Sequence, residues 1–280
     1  MSGLTNLFRS DRFYPLTHSQ CGSPPGQAIE KIVDTGRKRK NNLRRILKAV
    51  LKITRLGMQC GSPPGRNLEE TPYLYPPWQS VYYYFRKWQK EGLWRKILAF
   101  LVEKEPKRQG REGQASAVAV DSQTGPPGGV KKGSFICLET GIDGNKNVNG
   151  RKRHLAVDCL GLPLALHVSA ANKQDGKEGI ELLWQLEKAS SRLELIRADQ
   201  AYQGYFTQCC DYYQWKVEIT QKLESAQGLV PQTGRWQVER SFAWFNFFRR
   251  LSKDYEKTVE SSLAFMQLAC IDIILARMPN

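Results

Sequence analysis

The chain has 280 residues, with 42 Lys and Arg against 27 Asp and Glu and a formal net charge of +15. A hydrophobic content of 41% is enough to bury a core, so disorder throughout is excluded, and domains of roughly 100–200 residues allow one large or two ordinary units. The charge excess attracts polyanions at long range and puts nucleic acid ahead of any acidic small molecule.

The N-terminus, Met1-Ser-Gly-Leu-Thr-Asn-Leu-Phe-Arg-Ser, has no basic run followed by an apolar stretch, so no secretory signal is expected. The most apolar stretch, 263–278, is shorter than the ~20 residues of a membrane span and carries Gln267, Asp272 and Arg277; it is expected to be a buried helix. The seven Cys form an odd set without a Cys-x-x-Cys pair, which favours a reduced, cytosolic protein over a disulfide or zinc framework. The adjacent Cys209 and Cys210 are expected to pack rather than to do redox chemistry.

In chain order, 31–55 holds ten Lys and Arg against one acid, Asp34. Leu43, Ile46, Leu47, Val50 and Leu51 follow helical spacing, which predicts one packed face and one basic face. Arg37, Lys38, Arg39, Lys40, Arg44, Arg45 and Lys48 are the candidate DNA-backbone contacts of this block, each neutralised phosphate adding salt-dependent affinity. A second helix is predicted to start near Trp78 with Val81, Phe85 and Trp88 inward and to stop at Gly92. Gln79, Tyr83, Arg86 and Lys87 lie on its other faces, where amide and guanidinium groups suit base edges in a helix-turn-helix arrangement. A third helical pattern (Trp94, Ile97, Leu98, Leu101) runs out in the polar Pro/Gly stretch 106–114. This places a boundary between a helical basic domain, 1–110, and a second domain, 111–280.

Beyond the boundary, 115–120 is predicted as a buried strand ending at Asp121, and 154–168 as two strands joined by a turn at 158–161. A helix over 176–188 and a strand over 193–198 ending at Asp199 follow, making the second domain α/β or α+β. One helix is predicted over 236–253 and a last one over 260–277. Pro-Pro-Gly segments at 21–26, 60–65 and 125–129 are expected to be turns or extended loops. Arg151, Lys152 and Arg153 precede a strand and are candidate phosphate contacts near the site described next.

Three carboxylates stand in telling places: Asp121 and Asp199 at strand ends and Glu239 in an aromatic-rich helix between Arg235 and Arg240. Carboxylates are hard oxygen ligands suited to Mg²⁺ or Mn²⁺. Three converging acids would hold two such ions about 3.5–4 Å apart, one activating a hydroxyl and one stabilising the leaving oxygen of an in-line displacement at phosphorus.

These residues fall within wider motifs. Ala119-Val-Asp-Ser-Gln123, Asn149-Gly-Arg-Lys-Arg-His154, Arg197-Ala-Asp-Gln-Ala-Tyr202, Arg235-Trp-Gln-Val-Glu-Arg-Ser-Phe-Ala-Trp-Phe-Asn246 and Arg249-Arg-Leu-Ser-Lys-Asp-Tyr-Glu256 resemble the bacterial DDE transposases of the insertion-sequence-five family. Tyr75-Pro-Pro-Trp-Gln-Ser-Val-Tyr-Tyr-Tyr-Phe-Arg-Lys-Trp88 is similar to that family's N-terminal region, and the resemblance extends over about 37–277. It implies an RNase H-like catalytic domain with Asp121, Asp199 and Glu239 as the metal-binding triad. The implied reaction nicks the ends of an element and joins the 3′-hydroxyls to target DNA. A homo-oligomer, at least a dimer on double-stranded DNA, and a cytoplasmic, nucleoid-associated bacterial protein with no membrane partner are implied as well. The family pattern has a Tyr, an Arg, the Glu and a Lys around the third acid. Here Arg235 matches, whereas Gln232 and Asn246 stand where Tyr and Lys would. In a continuous helix Arg250 lies on the face of Glu239 and is the candidate replacement phosphate contact. Two other readings stay open at this point: a catalytically silent DNA-binding protein derived from such an element, and a stand-alone metal-dependent nuclease.

Overall fold

The computed structural model describes residues 41–57, 75–127, 139–220 and 235–278. Arg37, Lys38, Arg39, Lys40 and the Pro-Pro-Gly segments at 21–26 and 60–65 lie outside the described residues, as does Gln232.

Helix α1 (Leu43–Leu56) begins at Asn42, whose side chain accepts from the Arg44 N–H, and ends at Gly57 in the left-handed conformation. It buries Leu43, Ile46, Leu47, Val50 and Ile53 and leaves Arg44 and Arg45 exposed. Helix α2 (Trp78–Lys90) follows Pro76-Pro77 and buries Val81, Phe85 and Trp88. Helix α3 (Leu93–Arg108) starts after Gly92 and runs through Pro106 into the polar stretch where the helical pattern runs out. The extra turn is held by Glu105, a fully buried carboxylate that accepts from Arg108 at 2.6 and 2.8 Å and from Gln109 at 2.9 Å.

Strands β1 (Ala117–Gly125), β2 (Gly141–Asp143), β3 (Val148–Val157), β4 (Pro163–Ala170), β5 (Leu195–Asp199) and β6 (Lys216–Thr220) form one mixed sheet. Its long axis runs β4-β3-β1-β5-β6, with β2 paired to the start of β3. The first three strands are antiparallel; β1, β5 and β6 are parallel. Between the strands lie α4 (Asp175–Glu178), α5 (Ile180–Ala189), a 3-10 turn at Gln200–Tyr202 and α6 (Tyr205–Tyr212). After β6 come α7 (Trp236–Phe245), a 3-10 turn at Arg249–Leu251 and α8 (Val259–Arg277).

Strand alternation divides the interior in two. Val118, Val120, Ile196 and Ala198 face a cluster with Leu182, Leu183 and Phe206 from α5 and α6. Ala119, Leu155 and Val157 face the other cluster, which unites α7 and α8 with α1, α2 and α3. Phe85 of α2 stacks on Phe265 of α8 with ring centroids 4.9 Å apart. The polar stretch at 106–114 thus divides helices from sheet along the chain, while the hydrophobic interior runs across it. Helix α8 has 19 residues and is apolar enough by length and composition to cross a membrane, longer than the stretch expected from sequence; 56% of its most apolar window is buried in this core.

The expected helix over 236–253 stops at Phe245. Phe248 takes an extended conformation that turns Phe248 and Leu251 into the core beneath α1. There a Cβ on Gly57 would lie 2.9 Å from the Cβ of Arg249, and the Gly57 φ is +66°. Gly57→Ala is therefore expected to lower stability by about 1–2 kcal/mol from backbone strain alone, with the clash adding to it, read as a lower thermal midpoint by circular dichroism.

Four basic residues predicted as phosphate contacts change with this fold. Arg151, Lys152 and Arg153 lie in the middle of β3, 1%, 6% and 4% exposed, and do not reach solvent as phosphate contacts. Arg151 donates to Asp254 at 3.1 Å and to the Glu256 and Lys257 carbonyls; Arg153 donates to the Leu251 and Lys253 carbonyls. They fasten segment 251–257 to the sheet. Arg250, off the end of α7, pairs with Glu256 and stacks 4.8 Å from the Phe265 ring centroid, so it shares no helix face with Glu239.

Candidate active site

The parallel register of β1 and β5 pairs Ala117 with Leu195, Val118 with Ile196 and Ala119 with Arg197. Carried two residues on, the same offset sets Asp121 beside Asp199, both on the face that α7 covers. Asp121 lies within β1 rather than at its end, because β1 continues to Gly125 against β3. Asp199 closes β5 and caps the turn after it, accepting from the Ala201 N–H at 3.0 Å.

Arg235, the residue before α7, donates to Asp121 at 2.9 Å and lies 3.9 Å from Asp199. The Ser122 N–H donates to the other Asp121 oxygen at 2.7 Å. Asp121 is 17% exposed, Arg235 12% and Asp199 33%, so the pair opens to solvent on the Asp199 side. Burial pushes the Asp121 carboxyl up to about 6; the Arg235 guanidinium works against that rise and the Asp199 charge adds to it. A carboxyl whose folded pKa lies above its unfolded value contributes stability that is fully present below the unfolded pKa of 3.8 and is lost as pH rises through about 6. Asp121→Asn is thus expected to flatten the fall in thermal midpoint between pH 4 and 7, measured by melting the full chain in a buffer series.

Glu239 is exposed in the first turn of α7, one turn beyond Arg235. Among the described residues no group of three or more His, Cys, Asp or Glu stands close enough to hold a metal ion. Two of the three expected acids are together and the third is apart from them.

The opposite face of β1 carries polar residues that the motifs do not single out. The Ser122 hydroxyl donates to Asp175 in α4 at 2.8 Å, and Lys152 donates to the second Asp175 oxygen at 3.2 Å. Tyr202 is fully buried beneath them; burial and the charges of Asp121, Asp175 and Asp199 hold its phenol well above its ordinary pKa. Asp175 reads in sequence as a helix-start residue, and alternation along Ser122, Thr124, Lys152 and His154 is the signal that they share a face. Of the expected DNA contacts, Arg44, Arg45, Gln79 and Tyr83 are exposed and Lys48 half-buried. Arg86 bonds to Gln89 and to Ser261 of α8, and Lys87 lies 3.9 Å from Glu91.

A mixed sheet with two acids side by side on neighbouring parallel strands, covered by a helix that brings an arginine to them, defines the class of α/β domain at hand. Residues 112–271 match the family described as transposase DDE domain, and the chain belongs to that family. Residues 27–98 match a second family, provisionally described as a transposase of the IS4/5 family (DUF4096). A Burkholderia cepacia protein provisionally named as the transposase for insertion sequence element IS402 is 28% identical over 130 residues, 43% of this chain and 61% of that protein. The chain thus matches less than two thirds of that relative's length. The crystal structure of the Mos1 strand transfer complex aligns over 90% of this chain and 83% of that chain, at 11% identity and a TM-score of 0.24, too slight a likeness to carry an argument about fold.

Proposed function

We propose that the protein is a DNA transposase that binds the ends of an insertion sequence and catalyses metal-dependent strand cleavage and strand transfer. The observation that carries this is the Asp121–Asp199 pair on adjacent parallel strands with Arg235 against both. Membership of the DDE family supports it, and three antiparallel strands followed by two parallel ones suit an RNase H-like domain.

Two hard carboxylates on adjacent strands are a suitable donor set for a divalent cation. Asp121 and Asp199 would hold Mg²⁺ or Mn²⁺, with Glu239 completing a two-ion set. Bound there, the metal supplies charge neutralisation for the transferring phosphoryl group and a lower pKa for the attacking hydroxyl. The residues themselves divide the remaining work. Arg235 presents a planar guanidinium suited to phosphate oxygens beside the reacting centre, and the Ser122 N–H orients one Asp121 oxygen. Both acids are required as carboxylates.

Double-stranded DNA, both element end and target, is the partner. The exposed basic face of α1 and Gln79 and Tyr83 of α2 are its docking elements, and two protomers bring two ends together. Changing Arg44, Arg45 and Lys48 to Gln is expected to weaken duplex binding evenly across sequences. The slope of log K against log salt should fall by about 0.9 for each phosphate that is no longer neutralised, measured by anisotropy from 50 to 300 mM salt. An unchanged slope would remove α1 from the interface.

The test of the reaction is a labelled duplex carrying the gene's own flanking DNA, incubated with protein and Mg²⁺, Mn²⁺ or EDTA. Metal-dependent nicks at defined ends, followed by joining to a second duplex, are expected. The exposed position of Glu239, away from the aspartate pair, favours a second reading, a DNA-binding protein that does not cut. Binding without nicks under every metal would establish that reading, and nicking without joining would make the protein a nuclease.

A further inference from the structure

Beneath the aspartate pair, on the face of the sheet turned away from α7, three elements meet at one side chain. Asp175, in the first turn of α4 and 13% exposed, accepts from the Ser122 hydroxyl of β1 at 2.8 Å and from the Lys152 ammonium of β3 at 3.2 Å. His154 of β3 comes within 4.0 Å of it. The β1–β3 register pairs Ser122 with His154 and Thr124 with Lys152, so these side chains project together under the strand position that carries Asp121. Lys152 also donates to the Lys173 carbonyl at 3.0 Å, which anchors the chain just ahead of α4.

The second support is Tyr202, on the turn that Asp199 caps. Its ring packs 5.0 Å from Phe206, and its hydroxyl is buried without a formed hydrogen bond. Gly179, just after α4, makes room for it: a Cβ there would meet the Tyr202 ring at 2.8 Å. The helix that supplies Asp175 is therefore seated on the tyrosine that lies just beyond the second aspartate.

We propose that Asp175 is a positioning residue for the carboxylate pair, fixing Asp121 through Ser122 and Asp199 through the seating of α4 on Tyr202. The inference rests on the reading of Asp121 and Asp199 as metal ligands. Ligand oxygens that must meet one cation gain from a support that removes their freedom beforehand, as the hydrogen-bonded partners of metal ligands do elsewhere. Asp175 itself faces away from the reacting side.

Asp175→Ala would leave Lys152 buried without its carboxylate and is expected to fold poorly, so Ser122→Ala, which removes only the hydroxyl link, is the decisive variant. Mn²⁺ binding is measured by calorimetry on the full chain, with Asp121→Asn as the reference for loss of the site and thermal midpoints taken in EDTA. Ser122→Ala is expected to keep its EDTA midpoint and its duplex affinity. Its Mn²⁺ half-saturation should rise and its cleavage rate fall by about tenfold each, with Ser122→Thr restoring both. An unchanged Mn²⁺ half-saturation in Ser122→Ala would overturn the proposal, as would a lower midpoint with metal binding intact, which is what a purely structural hydroxyl gives. If the unaltered protein and Asp121→Asn take up Mn²⁺ equally weakly, the metal reading of the aspartates fails, and this inference with it.

Discussion

Asp199→Ala and Asp121→Asn are each expected to reduce metal-dependent nicking of end-containing duplex by about a thousandfold or more, with duplex affinity within about twofold of the unaltered protein. The size follows from what a carboxylate pair contributes. Charge stabilisation at a transferring phosphoryl group amounts to several kcal/mol, and each 1.36 kcal/mol is about tenfold in rate. Asp121→Asn keeps the size and one oxygen to accept from the Ser122 N–H, but removes the charge and the acceptor that Arg235 uses, so its loss reports the charge together with the Arg235 contact. Glu239→Gln belongs beside them, because Glu239 is exposed and apart from the pair. Loss of nicking in all three variants supports recruitment of Glu239 when metal and DNA are bound. Loss in the two aspartates alone would confine the reaction to the pair carried by β1 and β5. Single-turnover cleavage on a labelled end, with anisotropy on the same duplex, separates these outcomes.

The second large effect concerns folding. Asp254→Ala is expected to destabilise the protein by about 3–5 kcal/mol, a large part of the 5–15 kcal/mol that holds a typical domain together, and to lower the thermal midpoint by on the order of 10 °C. Asp254 is 3% exposed and faces Arg151 at 1%, and it also accepts from the Ser262 hydroxyl and the Glu256 N–H. Removing it takes the carboxylate that Arg151 donates to away from a buried guanidinium. Replacing both partners, as Arg151→Met with Asp254→Leu, is expected to recover much of the loss, since a buried ion pair is often no better than an apolar pair of similar size. Thermal melts of the two variants decide the matter: a double variant no more stable than Asp254→Ala would mean that Ser262 and Glu256 carry most of the effect.

The parts of the fold that can be seen in the sequence are those where a period is uninterrupted. Leu43, Ile46, Leu47 and Val50 mark α1, and the strands on either side of 158–161 pair as expected, with Asp158 accepting the Leu160 and Leu162 N–H groups to close the turn. Cys210 is buried, its thiol pushed up to about 12 by burial, in keeping with packing. Strand β6 is hard to see although Val217 and Ile219 alternate with Lys216 and Glu218, because five residues between loops give too short a period. Helix α6 is equally hidden because Tyr205 and Tyr212 are exposed apolar residues that blur its inward face. The expected helix over 236–253 is too long because Phe242, Phe245, Phe248 and Leu251 keep nearly helical spacing while the backbone turns at Phe248. At the candidate site, 78 residues separate the two aspartates in both sequence and register, so their pairing follows once β1 and β5 are set parallel. The burial of Arg151 and Arg153 has no sequence signal, because a basic triplet has the same letters whether it meets solvent or the carbonyls of a distant segment.

The hydrophobic interior that unites α1, α2 and α3 with α7, α8 and one face of the sheet has a metrical consequence. Recognition helices hung on a tether can sample many spans along a duplex. Here α1 and α2 share one hydrophobic interior with β1, the strand that bears Asp121 and pairs with the strand of Asp199, so the molecule would work as a gauge block. On the proposed function, with α1 and α2 as the DNA-gripping elements, the number of base pairs between the gripped sequence and the phosphate at the acids would be a dimension of the folded protein. Lengthening the flanking DNA by one or two pairs would move the wrong phosphate into place.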